Sequence, residues 1–141
     1  METTYQILFM AAMFIVVVAS AVVVFMLMNS SARLRTKIAG MWVNESQSTR
    51  IIIHETDDVF QGDIIWVNEV QQSHILGFNM IKGLVVRPFT QGSRGVYVDP
   101  VTKMENRFQI WFHGSGRLKM ELISKINGRD EIIREEKWFR L

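Results

Sequence analysis

Asn106-Arg107-Phe108-Gln109-Ile110-Trp111-Phe112-His113-Gly114-Ser115-Gly116-Arg117-Leu118-Lys119-Met120-Glu121-Leu122 is the stretch that decides the fold. Phe108, Ile110 and Phe112 alternate with Arg107, Gln109 and Trp111; Leu118, Met120 and Leu122 alternate with Lys119 and Glu121. A period of two puts each set on one face of a strand, and His113-Gly114-Ser115-Gly116 supplies the hairpin turn between them. A few residues on, Asn127-Gly128 is the strongest short hairpin signal in the chain and leads to a last strand, Glu131–Arg140.

Working back toward the N-terminus, the same rhythm continues. Met41-Trp42-Val43 is a short apolar run, and Ser46-Gln47-Ser48 a turn. Arg50–His54 is rich in β-branched residues and is followed by a turn at Asp57-Asp58. Phe60–Val67 reads as a strand with Gly62 early in it, and residues 68–74 as a polar loop. Leu84–Phe89 reads as a strand ending near Pro88, Gln91-Gly92-Ser93-Arg94 as its turn, Val96-Tyr97-Val98 as the next strand, and Asp99-Pro100 as a further turn. The expected fold is all-β: a small antiparallel, lipocalin-like barrel of about eight strands over residues 39–141. A barrel of ~8 strands is filled by its own side chains or holds one small ligand.

Residues 1–28 are of a different kind. Ile7–Met28 is apolar except for Ser20 and carries no charge. At ~1.5 Å per residue it makes a helix of roughly 33 Å, enough for a ~30 Å hydrocarbon core. A cleaved signal is disfavoured: Met1–Gln6 holds no Lys or Arg, and the best cleavage triplet, Ala19-Ser20-Ala21, lies inside the run. A buried core helix would show a polar stripe, and none is present. The reading is a retained transmembrane span, followed by a short basic linker over residues 29–38. Arg33, Arg35 and Lys37 after the span place the N-terminus outside and residues 29–141 on the cytoplasmic side. These three cations read as an ordinary stop signal, although each is also worth ~1 kcal/mol against anionic headgroups. Ala11, Ala12, Ala19, Ser20 and Ala21 permit close helix packing without a Gly-xxx-Gly motif. No ionisable group lies in the span, which argues against an ion path through it.

Composition narrows the function. The chain has 16 basic and 14 acidic residues, and with Glu2 in the N-terminal tail the part beyond the span is +3. Its signs are mixed, without the clustered basic stripe of a nucleic-acid surface. Cysteine is absent, so disulfides and thiolate metal sites are excluded. Asn44-Glu45-Ser46 is a glycosylation sequon that matters only in a secretory lumen.

The order of short motifs is similar to a known family. Gly40-Met41-Trp42 opens the domain, and Gly62-Asp63-Ile64-Ile65-Trp66-Val67 closes the second hairpin. Ile75-Leu76-Gly77-Phe78-Asn79-Met80-Ile81-Lys82-Gly83-Leu84 leads to the middle of the barrel. Gly95-Val96-Tyr97-Val98-Asp99-Pro100, Leu118-Lys119-Met120 and Lys137-Trp138-Phe139-Arg140 follow. Over Gly40 to Leu141 this resembles the bacterial lipocalin-like family called domain of unknown function 2147. The resemblance implies a β-barrel, usually secreted or periplasmic, with no assigned activity. It marks Trp42, Gly62, Trp66, Gly77, Gly83, Asp99, Pro100 and Trp138 as core or motif positions. This chain departs from the family pattern in its uncleaved span, in a short loop before Ile75, and after the Asp-Pro turn, where Lys103 and Phe108 or its neighbours replace the expected Gly and Tyr.

No residue set carries recognisable chemistry. His54, His74 and His113 lack metal-ligand spacing and read as surface residues. Asp57, Asp58, Asp63 and Asp99 sit at expected turns or strand starts, where Asp bends or caps backbone. Gly114-Ser115-Gly116 is too short to cradle phosphate. Lys82 reads as an exposed loop lysine more readily than as a ligand contact. Of the four tryptophans, Trp42 and Trp66 are expected in the core. Trp111 should face outward, as a partner contact or lying flat on a covered edge.

The expectation is therefore a non-enzymatic, single-pass membrane protein. It would be an accessory subunit whose barrel docks a partner protein beside the lipid bilayer, with no cofactor, no metal and no nucleic acid. Binding of a small apolar or lipid-like ligand is the alternative, and large side chains such as Phe108, Phe112, Met120 and Trp66 would leave it no room. The same architecture would suit a link between membrane and capsid in a virus with an internal membrane, and no residue selects that host over a bacterium.

Overall fold

The computed structural model describes residues 2–87, 93–114 and 116–141. The expected strand end at Pro88–Phe89, the turn residues Gln91 and Gly92, and Ser115 lie outside the described residues. Helix α1 runs Glu2–Ile38, and eight strands follow: β1 Gly40–Asn44, β2 Thr49–Thr56, β3 Val59–Val67, β4 Asn79–Val85, β5 Ser93–Val98, β6 Glu105–Phe112, β7 Arg117–Ile126 and β8 Arg129–Arg140. Each pairs antiparallel with the next, and β8 returns to β1 to close a barrel. The closing seam is short: Trp42, Val43 and Asn44 lie opposite Arg140, Phe139 and Trp138.

Alternation builds the core as the sequence predicts. Phe108 and Ile110 of β6 and Leu118, Met120 and Leu122 of β7 are buried, and Phe112 is half-buried. Trp42, Ile51, Ile53, Phe60, Ile64, Ile81, Leu84 and Trp138 complete the filling. Asp57 and Asp58 both take left-handed backbone in the β2–β3 turn, as do Asn127 and Gly128 in the β7–β8 turn. That is the geometry that lets a two-residue loop follow the twist of its strands.

Several expectations need correction. Residues 29–38 are not a separate linker but the last turns of α1, which is 37 residues long. No Gly or Pro interrupts Asn29–Ile38, and its Ala, Leu, Arg and Lys residues favour helix. Most of the loop expected over residues 68–74 belongs to a 3-10 helix, Val70–Ile75. β4 begins at Asn79, earlier than the expected Leu84, and holds Gly83 at φ +57° within it. The β4–β5 register shifts there, between Lys82 and Val85, so Gly83 marks a bulge rather than a boundary. Ser93 and Arg94 belong to β5, not to the turn before it.

Trp66 lies elsewhere than its spacing predicts. It is 37% exposed, not in the core. The β2–β3 register steps from Arg50–Trp66 to Ile51–Ile64, leaving Ile65 as the extra residue. One inserted residue reverses which side chains face inward. Trp66 therefore lies on the outer wall, where the Arg50 guanidinium sits 4.5 Å from its ring centroid.

Candidate functional site: the joint between helix and barrel

The most heavily built feature of the molecule is the place where α1 enters the barrel. Leu34 and Ile38 lie one turn apart on α1; Leu34 is half-buried and Ile38 is 0% exposed, within the barrel core. Directly after it, Trp42 turns its indole N–H back to the Ile38 carbonyl oxygen at 2.9 Å. A helix C-terminus leaves its last carbonyls without partners, and here side chains supply the donors. Arg140 of β8 donates from Nη1 to the Lys37 carbonyl and from Nη2 to the Ala39 carbonyl, both at 2.9 Å.

On the other side of the joint, Arg35 pairs with Glu55 and, at 3.0 Å, with Asp58 of the β2–β3 hairpin. The hydrogen bond that Arg35 donates to the Glu55 carboxylate is the main cause of its raised pKa. Arg35 thus ties the helix to the barrel and is engaged there rather than free for headgroups. Arg33 and Lys37 remain exposed. Elements far apart in sequence therefore grip one helix end: the β2–β3 turn, the start of β1 and the end of β8.

A second polar cluster lies in a cleft of about 360 Å³ on the lumen side of β8, lined by Ile64, Met80 and Trp138 beneath Asn44, Gln72 and Arg134, among others. Arg134 pairs with Glu136 and lies 3.9 Å from Asp99, and Trp138 Nε1 donates to Glu136 at 3.2 Å. Tyr97 is buried beside them, and loss of solvent is the first cause of its raised pKa. Desolvation also pushes the Asp99 carboxyl up, but backbone N–H donors of Thr102 and Val101 outweigh it and hold the pKa below the usual range. The cluster satisfies itself internally.

On the outer wall, Trp111 faces outward and is half-buried. Its indole N–H donates to Glu121 at 2.7 Å, and Gln109 Nε2 donates to the same oxygen at 2.7 Å. Glu121 is only 4% exposed although it faces away from the lumen. Burial raises its pKa, but the hydrogen bonds from Lys119, Gln109 and Trp111 more than offset this, and the net shift is downward.

The other candidates are scattered. Asp63 lies inside β3, not at a strand start; Asn79 Nδ2 donates to it at 2.7 Å and His54 lies 3.7 Å away. Lys82 belongs to β4 rather than a loop and faces Glu105 at 3.5 Å. His74 sits in the 3-10 helix and His113 after β6. Among the described residues no group of three or more His, Asp or Glu is placed to hold a metal ion. Gly62 faces inward where a Cβ would come within 2.9 Å of Ile81 Cβ, and the Gly77 N–H donates to the Ile64 carbonyl at 2.7 Å. Gly62, Gly77 and Asp99 therefore serve packing and turns, and Pro100 sits in the turn after Asp99.

Sequence reasoning missed Ile38, Glu55, Arg134, Glu136 and Arg140 as contributors to these clusters. A signal existed for the first: Leu34 and Ile38 are spaced i, i+4 within a basic segment, the pattern of one apolar helix face. For the others, pairing partners up to 103 residues away in sequence decide the contact. Compared with known proteins, the chain matches no family model, no curated protein and no solved structure.

Proposed function

We propose that this protein is a single-pass, membrane-anchored accessory subunit that holds a small barrel in a fixed attitude beside the bilayer, where the barrel docks a partner protein. The observation that carries the proposal is the joint. A merely tethered domain needs only a flexible linker, whereas here the helix end is buried, hydrogen-bonded and ion-paired to three parts of the barrel. α1 is long and apolar enough to cross a membrane, which supports the anchor. The cations after the span favour an N-terminus outside and a barrel in the cytoplasm, whereas the likeness to the domain of unknown function 2147 family favours the periplasm. In our reading the protein is not an enzyme, and its likeness to that family is one of barrel architecture.

An apolar ligand inside the barrel is the weaker reading, because Phe108, Met120, Ile64 and Trp42 occupy the lumen. A bridge between bilayer and capsid is a special case of the same rigid mount. The test is purification of tagged full-length protein from its native membrane in mild detergent. A stoichiometric partner that is lost when a Gly-Ser insert is placed between Ile38 and Ala39 supports the fixed mount. A lone monomer would overturn the subunit reading, and bound lipid in the extract would move the function to ligand binding.

A further inference from the structure

The two ends of the barrel differ in how their charges are paired. The end from which α1 emerges carries Arg33, Arg35, Lys37, Arg87, Arg94, Arg117 and Arg140 against Glu55, Asp57 and Asp58, with Glu45, paired to Lys137, in the cleft beside Arg117. Arg35 already engages Glu55 and Asp58. Arg33, Lys37, Arg87 and Arg117 are exposed and have no carboxylate within ion-pair distance among the described residues. At the opposite end the charges are matched: Asp130 pairs with Arg107, Glu105 faces Lys82 and Asp99 lies 3.9 Å from Arg134, with Lys103, Lys125 and Arg129 beside Glu69 and Glu131. Exposed Met41 and Val85 lie among the cations of the helix end.

Distance decides what this basic base can reach. From Met28 to Ile38 the helix rises ~15 Å, and the headgroup layer of one leaflet takes roughly 5–7 Å of that. The underside of the barrel then hangs about 8 Å above the headgroups, within one Debye length at physiological salt. Extended arginine side chains span most of that gap. A helix tilt of about 20° brings one side of the base lower still. The hydrogen bonds and ion pairs of the joint keep these cations on the side of the barrel from which the helix leaves.

We propose that the base of the barrel, through Arg33, Lys37, Arg87 and Arg117, is a docking surface for anionic phospholipid headgroups and sets the tilt of the barrel on the membrane. This rests on the anchored reading above. The chain has no cysteine, so single labelling sites are available. Full-length protein carrying a donor dye at H113C on the base, or at V101C on the far end, is placed in nanodiscs of phosphatidylcholine alone or with phosphatidylglycerol, the headgroups bearing an acceptor. The expected result is greater transfer from the base label in the anionic discs. It should be lost in R87E/R117E and at molar salt, where the Debye length shrinks to about 3 Å. The far-end label should move oppositely or not at all. R87Q/R117Q, which removes charge without reversing it, should retain an intermediate response. Equal transfer in both lipid compositions, with protein inserted, overturns the headgroup contact while leaving the anchor intact. Failure to enter phosphatidylcholine discs overturns the anchor itself, and the contact with it.

Discussion

Replacing Ile38 with alanine tests the joint directly. Ile38 is fully enclosed, with Trp42 hydrogen-bonded to its carbonyl. Ile→Ala removes three carbon atoms, worth about 0.8 kcal/mol each by transfer, or roughly 2.4 kcal/mol in all. The cavity left behind adds to this, and buried Ile→Ala changes fall at about 2–5 kcal/mol. We therefore expect a loss of about 3 kcal/mol. The assay is denaturant unfolding of the full-length protein in detergent, followed by near-UV circular dichroism and tryptophan emission. I38V should cost about 0.5–1.5 kcal/mol, preserving the order of the series. Equal midpoints and slopes for wild type and I38A would refute the reasoning. Such a result would mean that the barrel folds without gripping the helix, and the joint would be a tether after all.

Three further outcomes are expected. G95A should destabilise by roughly 1–3 kcal/mol, because a Cβ there would lie 2.8 Å from a Phe108 ring carbon and 3.0 Å from both Leu84 Cα and the Lys82 carbonyl oxygen. G116A, with nothing within 4 Å, should stay within about 0.5 kcal/mol in the same denaturant unfolding. W42A should cost about 3–5 kcal/mol and W66A about 1 kcal/mol or less, since the first is enclosed and the second exposed against Arg50; similar losses would place Trp66 back in the core. Glu121 has a folded pKa below its ordinary 4.5, so its contribution is complete above that pH and fades as pH falls through the lower folded value. E121Q should therefore flatten the acid limb of the stability profile, and an unchanged limb would remove Glu121 from the account.

The barrel was legible because strict alternation in Asn106–Phe112 and Leu118–Leu122, with Asn127-Gly128 after them, leaves few other structures open. Trp66 was misread for the same reason. Counting by twos from Phe60 places it inside, and only the pairing of β3 with β2 reveals the extra residue, Ile65. The base charges Arg33 and Lys37 were visible as a cluster, but Arg87 and Arg117 join them only through strand topology. The grip of Arg140 on the helix end was invisible for a related cause: charge on a last strand says nothing about which carbonyl it will cap.

The short seam between β1 and β8 also governs the order in which the protein can be made. Its two sides come from opposite ends of the domain, so Trp42–Asn44 must wait for Trp138–Arg140 before the ladder closes. Non-local pairings of this kind are the slow step in small β domains. During synthesis α1 and seven strands can be complete while the helix end still lacks its Arg140 caps and Trp42 its neighbour across the closing seam. A newborn chain with its first helix already placed in a bilayer would thus hold its helix end only through Arg35 and the Trp42 bond to Ile38 until its final strand arrives. The last few residues then lock the cylinder and its stalk in one event, so that a chain cut short before Trp138 stays visibly unfinished to any protease that patrols the surface.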